Sequence, residues 1–314
     1  MRYFLLIFCL AFTLTVQAKS RNCTKAEKQL ANDILLELVN DKEKQQKIIE
    51  YHFPLGMPVS KSDQSGEEIL YQNGYVMLHD ADLATSLWSG YRLTQQDIIN
   101  AKGKDRVNCF RKDPRLKIGA STTDYKEPIF DQGHLTNDAD LKDTLIEQIN
   151  TYVMSNMSPQ HCRFNRGIWL SLEHLTRSWA NKYKDIFVTT GALFDNDKDG
   201  QRDLDIQAQR MLSVNKKQRV GVPTHYYKVI VRKSQEGGVY SIAFLLEHNN
   251  EDQGVKWEDI LPSVFPTITT ISQIEAMGNI DLFPYIAESA LKESVNGDNW
   301  DMTLGRNNFS SSCR

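Results

Sequence analysis

Three stretches carry the reading of this chain: Phe130-Asp131-Gln132-Gly133-His134-Leu135-Thr136, Ser155-Asn156-Met157-Ser158-Pro159-Gln160 and Asn165-Arg166-Gly167-Ile168-Trp169-Leu170-Ser171-Leu172-Glu173. Ile129 and Phe130 are strand-like, and the histidine that follows sits behind Gly133, a residue that lets backbone or ligand approach closely. From Arg166 to Tyr183, Trp169, Leu172, Leu175 and Trp179 recur at three- and four-residue intervals, which predicts a helix with a buried stripe. Asn165 stands where an N-cap would stand. Glu173 follows eight residues later, about 12 Å along a regular helix at about 1.5 Å per residue.

Outward from this centre, strand and helix signals mix without a repeated βαβ period. Asn73-Gly74 between two apolar runs predicts a tight hairpin, Leu87–Leu93 a further strand, and Thr94-x-x-Asp97 a capping box for a short helix stopped near Gly103. Arg106 to Phe110 alternates, placing Arg106, Asn108 and Phe110 on one face and Val107 and Cys109 on the other, until Asp113-Pro114 ends the run. Leu141, Leu145, Ile146 and Ile149 have helical spacing, and Tyr152–Met154 reads as extended. Strands are predicted at Ile186–Thr190, Tyr226–Val231 and Val239–Leu246, and Ser272-Gln273-Ile274-Glu275 as a capping box for a helix ending near Gly278. Upstream, Thr24–Tyr51 predicts one amphipathic helix, with Leu30, Ile34, Leu35 and Leu38 on its apolar face; Pro54 to Gly66 reads as a linker. The expectation is an α+β fold, a mixed, largely antiparallel sheet with packed helices. The division expected is a signal peptide at 1–18, a helical extension and linker at 19–67, the main domain at 68–290 and a polar tail at 291–314 that would be loose without Cys313 and is tied by a disulfide.

Arg2, the apolar run Tyr3 to Val16 and the small-x-small Val16-Gln17-Ala18 form the pattern of a secretory signal, so a secreted or periplasmic location is expected. The run is shorter than the roughly 20 residues that span a bilayer, and no membrane partner is expected. Removal of 1–18 leaves 36 basic against 40 acidic residues, a net charge of −4. That excludes a protein coating DNA stoichiometrically, but not an enzyme that releases a polyanion after each turnover. Cys23, Cys109, Cys162 and Cys313 would remain, an even number suited to two disulfides. Of three pairings, Cys109 with Cys162 and Cys23 with Cys313 is the one expected. The absence of any Cys-x-x-Cys spacing disfavours zinc and redox chemistry.

Hydrolysis of a phosphodiester needs an activated water, neutralisation of charge on the phosphorane oxygens and help for the departing alkoxide. His134 suits the first task, because an unperturbed imidazole titrates at about 6.5. At helical spacing Asn165 and Glu173 cannot grip one ion together. One would act through water, an arrangement that suits Mg²⁺, which keeps several waters and needs few protein ligands.

These motifs resemble those of the DNA/RNA non-specific endonuclease family, the ββα-metal nucleases, whose pattern is Asp-Arg-Gly-His, Asn-x-x-Pro-Gln, Asn-x-Gly-x-Trp-x-x-Leu-Glu and a Thr-Gly strand end. Here they stand as Asp131-Gln132-Gly133-His134, Asn156-Met157-Ser158-Pro159-Gln160, Asn165 through Glu173, and Thr190-Gly191. Weaker echoes extend the likeness from about Tyr71 to Ile286. The resemblance implies His134 as general base, Asn165 as the sole direct protein ligand of a hydrated Mg²⁺ (with Mn²⁺ able to substitute), Glu173 as holder of metal-bound water, and Asp131, Gln132 and Asn156 at the substrate. It implies DNA and RNA as substrates and 5′-phosphorylated products; monomer and homodimer both stay open.

The chain departs from the family at Gln132, where an arginine is usual, and at Asn108, which aligns with a second arginine. Arg106 and Arg166 are the candidate replacements. The departure motivates a rival reading, a nucleic-acid-binding relative with weakened catalysis. Asp195, Asp197, Asp199 and Asp203, with Gly200 in sixth place, match the first half of a calcium loop. Ile206 stands where the bidentate Glu belongs, so a structural Ca²⁺ and a plain acidic loop both stand as readings. A calcium-dependent adhesion module built on this loop would leave the His134 and Asn165 motifs unexplained. His161 and His174 lie near the motifs and could touch substrate; His52, His79, His225 and His248 read as structural or exposed.

Overall fold

The computed structural model describes residues 19–125, 129–212, 220–234, 238–254, 256–286, 291–295, 297–305 and 313; the signal reading of 1–18 lies outside them. In chain order the elements are β1 (Ser20–Asn22), α1 (Lys25–Leu38), α2 (Lys42–His52), β2 (Val59–Ser60), β3 (Glu67–Tyr71), β4 (Val76–Asp80), β5 (Thr85–Thr94), α3 (Gln95–Asn100), β6 (Arg106–Asn108) and β7 (Phe130–His134). There follow α4 (Leu145–Asn150), β8 (Met157–His161), α5 (Cys162–Phe164), α6 (Leu170–Tyr183), β9 (Asp185–Leu193), β10 (His225–Lys233), β11 (Val239–Glu247), α7 (Trp257–Val264), β12 (Ile268–Thr269), α8 (Ile271–Gly278) and β13 (Ile280–Asp281).

The fold is α+β, as the mixed signals predict. Seven strands form one sheet in the order β12-β11-β10-β9-β5-β4-β3, with every pairing antiparallel. Gln72 N donates to Tyr75 O at 2.9 Å across the Asn73-Gly74 turn that joins β3 to β4. β5 and β9 are buried along nearly their whole length, because α6 packs across both and α2 against β4 and β5. The stripe Trp169, Leu172, Leu175 and Trp179 is buried with Trp88, Tyr226 and Phe244 in the core beneath α6. Apart from the main sheet, β7 and β8 pair antiparallel, with His134 opposite Met157 and Asp131 opposite Gln160, and lead into α5 and α6 as a ββα unit.

Several local expectations are corrected. The helix expected over Thr24–Tyr51 is two helices, since Asp41 accepts from Lys44 N at 2.9 Å and caps a new start at Lys42. Leu30, expected on its apolar face, is exposed. Residues read as a linker lie on the core: β2 pairs with β13, and the ring of Pro284 packs against Gly56. Only Leu145–Asn150 of the helical run after His134 is helical, and Tyr152–Met154 forms no strand beyond a bridge from Val153 to Arg111. The cap of α8 is Thr270, which accepts from Gln273 N, rather than Ser272. The tail is held by more than its disulfide where it is described: Trp300 is buried against Trp179, and its Nε1 donates to Ser241 O at 3.0 Å.

The disulfide pairing differs from the one expected. Cys23 bonds Cys109 and Cys162 bonds Cys313. β1 pairs in parallel with β6, and Cys23 N donates to Asn108 O, which brings the first two cysteines side by side. Among the described residues no helix is long and apolar enough to cross a membrane.

Candidate active site

His134 ends β7, and the backbone of His134 and Leu135 is held by three hydrogen bonds. Trp169 Nε1 donates to His134 O at 3.2 Å, Thr190 Oγ1 donates to Leu135 O at 3.1 Å, and Leu135 N donates to Asn156 O at 3.0 Å. Gly133 is required one residue earlier, since a Cβ there would lie 2.1 Å from the side-chain oxygen of Gln160 across the strand pair. The imidazole packs edge-on to Tyr152 at 4.8 Å and beside Phe110 at 5.9 Å, and its Nε2 is buried without a hydrogen-bond partner among the described residues. Burial lowers the His134 pKa to about 4, with Asp138 opposing and Arg106 reinforcing the shift. The ring is therefore neutral at physiological pH and can accept a proton.

Asn165 is not an N-cap. It opens a π-helical turn, Asn165–Trp169, between α5 and α6, in which Gly167 has φ −105° and ψ −108°. The straight-helix separation from Glu173 does not apply across that turn. Asn165 Nδ2 donates to Asp131 Oδ2 at 3.0 Å, which leaves the amide oxygen, the atom that binds hard cations, as an acceptor. Arg166 holds the same carboxylate with Nε and Nη2, both at 2.8 Å. Glu173, in the first turn of α6, is buried. Burial raises its pKa, while Lys228, Arg177 and a hydrogen bond with Asn137 favour the carboxylate.

One cleft of about 1030 Å³ gathers Arg106, Asp131, Gln132, His134, Asn165, Arg166 and Glu173 along its walls. Half-exposed Arg106 donates to Tyr152 Oη at 2.7 Å and lies 3.2 Å from Asp138. Gln132 Oε1 is buried without a hydrogen-bond partner among the described residues. Asn108 is tied away from the cleft chemistry, accepting from Tyr152 Oη at 3.1 Å and donating to Ser20. Asn156 corrects an expectation: it is fully buried, and its amide bonds only backbone, accepting from Thr136 N and donating to Thr136 O and Thr151 O. It is a staple between the strand pair and the core, out of reach of substrate. His174 lines the cleft, whereas His161 is not among its lining residues and packs, tilted, between Phe130 and His248.

Residues that sequence reasoning passed over complete the site. Arg177, one helical turn beyond Glu173, pairs with buried Asp140 at 2.7 Å, and Tyr91 Oη donates to the other oxygen of Asp140 at 2.5 Å. The four-residue spacing from Glu173 was a readable signal for Arg177, as was a lone lysine, Lys228, inside the apolar strand run for a buried charge. In the acidic loop, Asp195, Asp197 and Asp203 converge to within 4.8 Å, while Asp199 lies outside that group. Their oxygens already accept from the loop's own amides: Asp199 N and Gly200 N donate to Asp195, and Asn196 N donates to Asp203.

Comparison with known proteins follows the same lines. The family model of the DNA/RNA non-specific endonucleases matches residues 56–276. The chain is 31% identical to Nuclease C1 of Cunninghamella echinulata var. echinulata over 60% of its own length and 74% of that protein. It is 27% identical to mitochondrial endonuclease G of Homo sapiens over 60% of its length and 63% of that protein. Its fold matches that in a crystal structure of an EndoG/EndoGI complex, with a TM-score of 0.59 at 22% identity, covering 77% of this chain and 92% of the other. With a matched segment that spans the whole ββα unit and its cleft, the chain belongs to the DNA/RNA non-specific endonuclease family of nuclease enzymes.

Proposed function

We propose that this chain is an exported, Mg²⁺-dependent endonuclease that hydrolyses phosphodiester bonds of DNA and RNA with little sequence or sugar preference, leaving 5′-phosphorylated ends, and that Mn²⁺ can replace Mg²⁺. One observation carries the reading: His134 from β7, Asn165 from the π turn and Glu173 from α6 face a single open cleft. The donor set suits the metal. An amide oxygen whose nitrogen is committed to Asp131, together with a carboxylate, offers hard oxygen donors and leaves room for water. Asn165 would bind the ion directly and Glu173 would hold its water.

His134 takes the proton from the attacking water, since burial keeps the ring neutral. An anionic phosphate beside it raises the proton affinity of the imidazole when substrate is bound. Arg106 stands at the cleft with half its side chain exposed, suited to steady phosphate oxygens, whereas Arg166 serves through its grip on Asp131. When bound, Mg²⁺ supplies positive charge that stabilises the departing 3′ oxygen. All of these groups come from one chain, so a monomer suffices for chemistry and a homodimer is compatible with it. Export is supported by the leader pattern at 1–18 and by two disulfides, which persist in oxidising compartments.

The test is incubation of purified protein with plasmid and with RNA, in Mg²⁺ or in EDTA, repeated with His134→Ala. Metal-dependent degradation lost in the variant supports the enzyme. Binding without cleavage by the wild-type protein would replace it with the weakened-relative reading that Gln132 motivates. For the acidic loop, Ca²⁺ added to metal-stripped protein separates the two readings: a raised melting temperature without cleavage fits a structural ion, and no shift leaves a loop held by its own amides.

A further inference from the structure

Phe110 is 38% exposed, an apolar ring among the mostly polar and charged side chains that line the cleft. Its centroid lies 5.9 Å from that of the His134 imidazole, and the ring stands perpendicular to Tyr152 at 4.9 Å. A single exposed apolar residue on an outer surface needs no explanation. This one faces a cleft beside a reactive imidazole, and the backbone on both sides of it is fixed. Cys109, one residue before, is buried and bonded to Cys23. Arg111, one residue after, is buried as well: its N donates to Tyr152 O at 3.2 Å, and its O accepts from Met154 N at 2.8 Å. The Arg111 guanidinium donates to Asn32 Oδ1 and Ile149 O at 2.7 Å and to Asn150 Oδ1 at 2.6 Å. A rigid frame thus presents the ring to the cleft, and its ordering is complete before any ligand arrives.

The neighbouring aromatic rings are engaged elsewhere. Phe130 also lines the cleft, but it is half-buried and packs against His161 at 4.7 Å and His248 at 6.0 Å. Tyr152 is fully buried, with its hydroxyl between Arg106 and Asp138. Arg106 and Lys142 line the same cleft as Phe110. A ligand that answers both the ring and these cations is flat and polarizable in one part and anionic in another, which describes a nucleobase on a phosphodiester.

We propose that Phe110 is a stacking platform for the nucleobase next to the scissile phosphate, so that the cleft favours nucleotides whose bases are free, in single strands and melted ends, over those locked in a duplex. The inference rests on the nuclease reading, which places the phosphate at His134, and adds a substrate class to it. Stacking tolerates any sequence, because every base has a π face. A base in a duplex must first leave its neighbours and its partner, a cost that a single strand is largely spared.

The test compares an oligothymidylate with an abasic oligomer of the same length, which keeps the phosphates and lacks the bases. In EDTA, where metal-dependent cleavage stops, competition against a labelled single strand reads binding by the full chain; in Mg²⁺, kcat and KM are read on single-stranded and duplex DNA. Wild type is expected to bind the oligothymidylate about tenfold more tightly than the abasic oligomer, and to have its lower KM on single strands. Phe110→Leu keeps apolar bulk beside His134 and removes the π face. It is expected to bind the two oligomers alike and to raise KM for single strands about tenfold, with kcat within about twofold. Phe110→Trp is expected to restore the preference. A Leu variant with wild-type preference and KM overturns the proposal and leaves Phe110 as a cover for the imidazole; so does one that loses kcat at unchanged KM. Should the Leu variant fail to fold, Phe110→Met, equally apolar and without a ring, takes its place. Wild type that binds both oligomers equally, or neither, overturns the platform whatever the variants do. Wild type that prefers bases but cleaves nothing sinks the nuclease reading alone, and wild type that cleaves without preferring bases sinks the platform alone.

Discussion

Asn165 Nδ2 donates to Asp131 Oδ2 at 3.0 Å, and this one hydrogen bond decides which end of the amide is left as an acceptor. Asp131 is itself held by two nitrogens of Arg166, so the aspartate of the histidine-bearing strand orients the residue that opens the helix. The two motifs, 34 residues apart, work as one unit.

Replacement of Asp131 by Asn therefore loosens the amide without touching the ion. Outer partners of this kind are worth about 10- to 100-fold in metal affinity or activity. Asp131→Asn is expected to raise the Mg²⁺ concentration for half-maximal plasmid cleavage by about that factor, with the melting temperature little changed. An unaltered Mg²⁺ titration would show that Asn165 is oriented by something else.

Gln132 lines the cleft with a buried oxygen that accepts nothing among the described residues, so its removal forfeits no hydrogen bond. Gln132→Arg places a cation beside the expected phosphate path and should raise turnover severalfold in a plasmid-nicking assay. Equal or lower turnover would mean that Arg106 already does this work.

The disulfides invite a direct check. Peptide mapping without reduction should recover Cys23 with Cys109 and Cys162 with Cys313. Removing either bond should cost roughly 2–5 kcal/mol of stability. At a temperature where both variants stay folded, loss of the Cys162–Cys313 bond should reduce cleavage more, because Cys162 opens α5 three residues before Asn165. Equal activities would detach the tail from the site.

Histidine burial sets an acid limit on stability. His79 is fully buried with both ring nitrogens unpartnered among the described residues, and burial lowers its pKa to about 4, as it does for His52 and His134. The folded pKa lies below the unfolded value of about 6.5, so the unfolded chain gains its protons first. The stabilising contribution is complete above about pH 6.5 and is lost as pH falls toward 4. For His79 alone the loss is on the order of 3 kcal/mol at pH 4. Thermal melts of wild type and His79→Leu across that window should show a shallower fall in the variant; parallel curves would rule the ring out as a contributor.

Much of this molecule was legible in local spacing. Period-two alternation placed the strands, including the outward Arg106 and Phe110 and the inward Val107 and Cys109, and the three-four spacing of Trp169, Leu172, Leu175 and Trp179 placed the helix that covers the sheet. Those signals survive because a residue's face follows from its neighbours a few positions away. His134, Asn165 and Glu173 were visible as chemical groups in order along the chain.

The tertiary structure alone decided which distant groups meet. Cys23 lies against Cys109 because two short strands pair in parallel across 86 residues, and no local pattern encodes that pairing. Asn156 looked like a substrate ligand and is a buried staple, and Lys228 is buried in the sheet with its Nζ 4.5 Å over the Trp169 ring. A side chain's type is written in the sequence, but its burial and its partners depend on contacts closed over long loops, and burial is what turns a histidine neutral.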